Sequence, residues 1–188
     1  MVSACDTDGE LRIRNRTAAE IYISVDDAAP HTIPAWANWS KYYPNDETAA
    51  ITYSGNYVFA NTITREVRQN LVTTVDIEPD GGAFSLRNDG SQALTEVYIS
   101  PTGEPNWGDN DLSNNLAPGD STLWTVTEGS WDLRVVASNL TTYFKYNQPV
   151  LKNSTTYLEL SDFDSKESRR PESILNNRNS QRRTEQQR

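Results

Sequence analysis

One histidine, His31, and one cysteine, Cys5, limit the chemistry this 188-residue chain can carry. A Ser-His-Asp hydrolase must pass through His31, which sits in "APHTIPA" between prolines, in a predicted turn. No nucleophile elbow or glycine-rich phosphate loop accompanies it, so His31 reads as a surface or hydrogen-bonded structural residue. Carboxylates are plentiful, but their spacing singles out no acid and base pair of the glycosidase kind. The best metal candidate is "DNDLSNNLAPGD", where Asp109, Asp111 and Asp120 take the first, third and twelfth positions of a calcium loop. Asn114 stands where that loop needs glycine, and Pro118 is unhelpful to the helix that normally follows. A solvated acidic loop is the stronger reading. The expectation is a protein with no catalytic set and no cofactor.

A lone cysteine rules out an internal disulfide framework and any zinc site built from several thiolates. Its setting gives it another use. "VSAC", Val2 to Cys5, has a branched apolar residue, two small residues and then cysteine, followed by the polar spacer "DTDGE". The stretch resembles the lipobox of bacterial lipoproteins. The resemblance implies that Cys5 is the lipid-attachment residue and that the protein is held at the extracytoplasmic face of a bacterial membrane, in the periplasm or at the cell surface. More than one acyl chain is needed for stable anchoring, and that modification supplies them.

Charge is unevenly distributed. From Ser165 to Arg188 seven basic residues stand against three acidic ones, which leaves -13 on the remainder of a chain whose net charge is -9. So acidic a body argues against nucleic-acid binding, because phosphate neutralisation needs Lys and Arg gathered on one face. An acidic body with a basic, Asn/Gln/Ser-rich tail marks the tail as an interaction segment. Arg169, Arg170, Arg178, Arg182 and Arg183, with Ile174 and Leu175 as a small apolar anchor, are the expected contacts with an acidic protein partner. With 36% hydrophobic residues and a mean hydropathy of -0.71, no apolar run approaches a membrane-spanning helix of roughly 20 residues.

Strands dominate the elements that must position these groups. "ELRIRN" places Leu11 and Ile13 on one face, and "EIYISVD" does the same with Ile21, Ile23 and Val25. Turn residues follow at "DDAAP", "YSGN", "EPDGG", "RNDGS", "SPTGEP", "APGD" and "TEGS". The halves also resemble each other. "IRN" at Ile13 to Asn15 answers "LRN" at Leu86 to Asn88, and "EIYIS" at 20–24 answers "EVYIS" at 96–100. "YSGNYVF" at 53–59 answers "TEGSWDL" at 127–133, and Val67 to Ile77 fall on Val150 to Leu160 at a constant offset of 83.

These signals predict an all-β chain of two tandem immunoglobulin-like β-sandwiches with a polar basic C-terminal tail. The divisions are an anchor and spacer over 1–9, one sandwich over 10–80, a second over 83–163 and the tail over 164–188. Trp36, Trp39, Tyr57, Phe59, Trp124, Trp131 and Tyr143 are large enough to fill the space between sheets. A long connection, Pro101 to Asp120, distinguishes the second unit and reads as a surface loop pinned by Trp107. "VYISP", "NWG", "LAPG" and "GSWDLRV" resemble uncharacterised β-sandwich modules of bacterial extracytoplasmic proteins, over about residues 84 to 160; no activity comes with that resemblance. The functional expectation is a noncatalytic, lipid-anchored protein-interaction or scaffold protein, such as an accessory subunit of a membrane-embedded complex. The alternative is a carbohydrate- or calcium-dependent adhesion module using Trp107 and the 101–120 loop.

Overall fold

The computed structural model describes residues 8–165. Along them run thirteen strands: β1 (Gly9–Asn15), β2 (Ile21–Val25), β3 (His31–Ile33), β4 (Asn38–Tyr43), β5 (Glu47–Gly55), β6 (Val58–Val67), β7 (Val72–Ile77), β8 (Gly82–Arg87), β9 (Leu94–Pro101), β10 (Ser121–Val126), β11 (Gly129–Ala137), β12 (Thr142–Val150) and β13 (Thr155–Glu159). A single 3-10 turn, Leu160–Asp162, follows among the described residues. The fold is all-β, and its sheets form β-sandwiches. Compact packing divides it into two units. One takes the described residues to Phe84 with Leu123–Glu128 and Leu151–Thr155; the other takes Ser85–Thr122, Gly129–Val150 and the described residues from Thr156.

In the first sandwich, sheet β4-β1-β7 faces sheet β3-β2-β5-β6. Period-two alternation explains why: Leu11 and Ile13 on β1, Ile21, Ile23 and Val25 on β2, and Ala49 and Ile51 on β5 are all buried. Strand β1 pairs antiparallel with β4 and parallel with β7. The remaining sheets repeat this order, β10-β8-β13 answering β4-β1-β7 and β12-β11-β9 answering β6-β5-β2, although packing assigns most of β10 and the start of β8 to the first unit. Among the described residues no strand there answers β3.

The repeat is carried by particular contacts. Asn15, fully buried, donates through Nδ2 to the carbonyls of Ala19, Ile33 and Pro34 at 2.7, 3.0 and 2.9 Å, and its Oδ1 accepts the Thr17 N–H at 2.8 Å. Asn88, also fully buried, donates to Gln92 and Leu116 at 2.9 Å each and accepts from Gly90 at 3.1 Å. Each amide thus closes its local turn and ties it to the chain approaching the next strand. Arg14 pairs with Asp76 as Arg87 pairs with Glu159. The Thr73 hydroxyl donates to the Glu66 carbonyl as the Thr156 hydroxyl donates to that of Pro149.

Two sequence correspondences do not survive. Leu94, bridged to Leu116, is the counterpart of Ile21, paired with Ile33, and a β-bulge between the partners Val136 and Ala137 adds one residue to β9 beyond it. "EIYIS" and "EVYIS" therefore lie on equivalent strands but out of register. "YSGNYVF" spans the β5–β6 turn whereas "TEGSWDL" spans the β10–β11 turn, so those segments are not equivalent.

Edge strands carry their own protection. Lys41 on β4, Arg65 on β6 and Lys145 on β12 sit opposite Leu11, Ala49 and Leu133, on the pleat that faces inward. A cation there opposes pairing with a foreign strand. Lys41 reaches Asp26 at 2.7 Å, Arg65 caps the Thr64 carbonyl at 2.8 Å, and Lys145 caps that of Asp162 at 2.7 Å.

Candidate functional site

The long loop of the second unit engages the edge of β9 through two of its polar residues, Asn110 and Asp111, while most of its other polar side chains stay exposed. Asn110 Oδ1 accepts the Val97 N–H at 2.9 Å, Asp111 N donates to the Val97 carbonyl at 2.8 Å, and Asp111 Oδ2 accepts the Ile99 N–H at 2.9 Å. The loop thereby closes the edge of β9 that β3 closes on β2. Trp107 packs near Phe144 and Tyr146, with ring centroids 6.1 and 6.3 Å away, and Arg134 lies over Tyr98 at 4.2 Å and Trp107 at 6.0 Å. Asp132, only 1% exposed, fixes the base of the loop: its Oδ1 accepts from the Thr102 hydroxyl at 3.0 Å and from Asn147 N at 2.9 Å. Asn147 has φ +54° and stands opposite Asp132 in a bulge between β11 and β12.

This arrangement speaks against the calcium reading. One of its three carboxylates, Asp111, is engaged with the β9 edge through Oδ2. Among the described residues no three His, Cys, Asp or Glu side chains come together as a metal site. Although Asp111 keeps solvent contact, burial of its carboxyl against the sheet raises its pKa, the Ile99 N–H opposing and Asp109 adding to the rise. Cys5 and the tail residues Arg169, Arg170, Ile174, Leu175, Arg178, Arg182 and Arg183 lie outside the described residues.

The first unit presents an open surface. Leu11 and Ile13 point inward, so Glu10, Arg12 and Arg14 alternate onto the outer face of β4-β1-β7. Register sets Tyr42, Ser40 and Asn38 of β4 beside them on one flank, and Val72, Thr74 and Asp76 of β7 on the other. Arg12 holds Glu10 bidentately at 3.0 Å through both contacts, and the Ser40 hydroxyl donates to Glu10 at 2.6 Å. Arg14 holds Asp76 bidentately at 2.6 and 2.5 Å, and Arg16 Nε joins Asp76 at 2.9 Å. Hydrogen bonds from Arg12 and Ser40 lower the Glu10 pKa, and those from Arg14 and then Arg16 lower that of Asp76 against a smaller effect of burial. Three arginines therefore meet Glu10 and Asp76 directly, with the Glu78 carboxylate acting on Arg14 from just beyond β7. Between residues 8 and 165 there are 22 acidic and ten basic side chains, and three of those ten gather on this face.

At one end of this face lies Trp36, in the turn that enters β4. Size suggested a core residue, but Trp36 is 62% exposed. Its φ is +62°, and the Ala37 N–H donates to the Pro34 carbonyl at 3.1 Å across the turn. That geometry puts Trp36 at the third position of a turn where glycine is the favoured residue. The second unit obeys the preference: Asp120 N donates to the Ala117 carbonyl at 3.1 Å, with Pro118 second and Gly119, φ +89°, third. Phe59 is likewise exposed rather than internal, whereas Trp39 packs against the core. His31 opens β3, and its ring stacks near that of Trp39 at 5.0 Å. No sequence signal distinguished Trp36 from Trp39; the positive φ arises from the turn closed behind it by Asn15.

No protein-family model and no curated protein matches the chain. Among solved structures it is similar to the Bacillus anthracis TIE protein, at 11% identity and TM-score 0.33, over 81% of this chain and 33% of that one. The chain thus spans about a third of that protein's length. It is also similar to DUF3823 family proteins from Bacteroides ovatus and Parabacteroides merdae, at 12% and 11% identity and TM-score 0.27 each. Those matches cover 74% and 78% of this chain, and 97% and 100% of the others.

Proposed function

We propose that this chain is a noncatalytic binding protein of the extracytoplasmic face, anchored by lipid at Cys5, whose first sandwich presents the outer face of β4-β1-β7 to a ligand. The observation that carries the reading is Trp36. Left-handed backbone costs an ordinary residue about 1 to 2 kcal/mol, and exposing an indole forgoes the burial that normally rewards tryptophan. Both costs coincide at Trp36, where the sister turn uses glycine; Leu140, φ +66° and 83% exposed, combines them too, but on a smaller side chain away from this face. Strain of this kind, held in place by surrounding structure, marks sites of function. The adhesion alternative gains from the same observation, with its aromatic surface moved from Trp107 to Trp36. The lipid anchor rests on the "VSAC" resemblance.

The test measures retention of the purified chain on washed bacterial cell envelopes, comparing the wild type with Trp36→Gly. The variant is expected to fold at least as stably and to lose retention. Equal retention of both proteins overturns the reading. Mass spectrometry of the native protein tests the anchor separately, by whether Cys5 carries acyl chains.

A further inference from the structure

We infer that the outer face of β4-β1-β7 binds a linear acidic glycan, one carrying uronate carboxylates along its length. The inference rests on the binding role just proposed and names its ligand. Two exposed aromatics bracket the face, Trp36 in the turn before β4 and Tyr42, 62% exposed, near the far end of that strand. From Asn38 to Tyr42 β4 runs about 13 Å at its usual rise per residue, the scale of a short oligosaccharide rather than one sugar. A pyranose ring has apolar C–H faces and a polar rim, which suits aromatics at the ends and hydrogen-bonding groups between them.

Those groups are already fixed. Glu10 orients Arg12, Asp76 orients Arg14 and Arg16, and Ser40 and Asn38 line the same flank. Ordering them in advance removes much of the entropy that binding would otherwise cost. The bidentate pairs occupy Nε and Nη2 of Arg12 and Arg14, and Arg16 uses Nε, so terminal N–H groups remain on all three guanidinium ions with no hydrogen bond among the described residues. Planar guanidinium donors match carboxylates in particular. The unused guanidinium N–H groups, on three of the ten basic side chains between residues 8 and 165, favour carboxylates over neutral hydroxyls here, on a body whose remaining charge repels polyanions elsewhere.

Binding of the full chain to a uronate hexasaccharide, followed by titration calorimetry, tests this, with a neutral hexasaccharide of glucose as control. The uronate oligomer is expected to bind at least tenfold more tightly, with an affinity that falls as salt rises. Trp36→Gly, Tyr42→Ala and Arg16→Gln are each expected to weaken it severalfold while the circular dichroism melting curve stays cooperative. Arg16 shares Asp76 with Arg14, so its loss leaves no unpaired carboxylate. Failure of both oligomers, or binding indifferent to all three substitutions, overturns the inference. If Trp36-dependent retention on envelopes survives, is abolished by protease treatment of the envelopes and is not competed by the uronate oligomer, the binding role stands and the ligand is a protein. If Trp36-dependent retention is itself absent, both readings fall.

Discussion

Both sandwiches have to close one edge of the strand that follows their first turn, and they do it with different materials. In the first unit β3 pairs with Ile21, Tyr22 and Ile23 of β2. In the second, the Asn110 amide and the Asp111 backbone and carboxylate serve Val97 and Ile99 of β9. The strand solution is brief: three residues, then a turn whose third residue is tryptophan. The loop solution is long, brings Trp107 over the sheet, and ends in a turn whose third residue is glycine. The difference separates an outward-facing element from one turned upon its own sheet. The loop spends Asn110 and Asp111 on the edge of β9; where β3 does the covering, the following turn displays an indole.

The comparison breaks most completely at what the units share. Asn15→Ala removes an amide that serves four backbone groups, and Asn88→Ala one that serves three. Buried backbone groups left without partners cost about 1 to 3 kcal/mol. Each substitution is expected to destabilise by about 2 to 4 kcal/mol in urea unfolding, Asn15 by the larger amount. Similar small losses at both sites would mean that the clamps do not hold the turns.

Asp132 tests the loop solution by itself. Asp132→Ala deprives the Thr102 hydroxyl and the Asn147 N–H of their acceptor and is expected to cost about 2 kcal/mol. It is also expected to expose the 101–120 segment to limited proteolysis before global unfolding, while Asp132→Asn, which keeps an acceptor, restores most of the protection. Cleavage no faster than in the wild type would show that Trp107 suffices to hold the loop.

The two turns provide a reciprocal exchange of smaller size. Trp36→Gly relieves the backbone strain, offset in part by the greater freedom glycine gives the unfolded chain, for a gain of up to about 1 kcal/mol. Gly119→Ala meets no atom within 4 Å, so its expected cost of about 1 kcal/mol is purely conformational. Opposite signs in thermal melts confirm that the turns differ in strain rather than packing. A destabilising Trp36→Gly would assign Trp36 a structural role.

How much of this was legible in the sequence follows from what each signal depends on. Alternation at Leu11, Ile13, Ile21, Ile23 and Val25 depends on local pleating and reads correctly, as do the Asn15 and Asn88 positions and the 83-residue offset linking Asp76 to Glu159. The register of "EVYIS" failed because its likeness to "EIYIS" sets an offset of 76, whereas the bridges that equate Leu94 with Ile21 set 73, a difference that local residue identity cannot reveal. His31 to Ile33 read as a turn because three residues between prolines carry too short a pattern to announce a strand. Trp36 read as core because size and hydrophobicity are properties of the residue, whereas its exposure is a property of a turn closed by Asn15 from another strand. The commitment of Asp111 to β9 was invisible for the same reason, since twelve residues separate it from Ile99 and only the fold brings them together.

Acid should separate the units by the smallest measurable margin. In the first, Asp26 follows β2 in the left-handed turn, φ +56°, and accepts from Lys41 Nζ at 2.7 Å, the Tyr43 hydroxyl at 2.6 Å and Ala50 N at 2.9 Å. Burial works against its charge, yet Lys41, Tyr43 and Ala50 together lower its pKa, while burial and Asp26 itself raise that of Tyr43. A depressed folded value means that Asp26 contributes stability above its unfolded value of about 3.9, and that the contribution is lost as pH falls through the lower folded one. Asp111 in the second unit has the opposite sign. Its raised folded value means that the folded chain holds the proton more tightly, so its contribution favours the fold in acid and is lost as pH rises through that value. Asp26→Asn is therefore expected to lower the melting temperature at pH 7 and to flatten its fall below about pH 4. Asp111→Asn, which keeps an oxygen for the Ile99 N–H, is expected to raise it slightly at pH 7 and to change nothing at the acid end. Melting curves for both variants from pH 3 to 7 decide the matter: a parallel pH dependence in the two would mean that neither carboxylate feels the environment the fold assigns it.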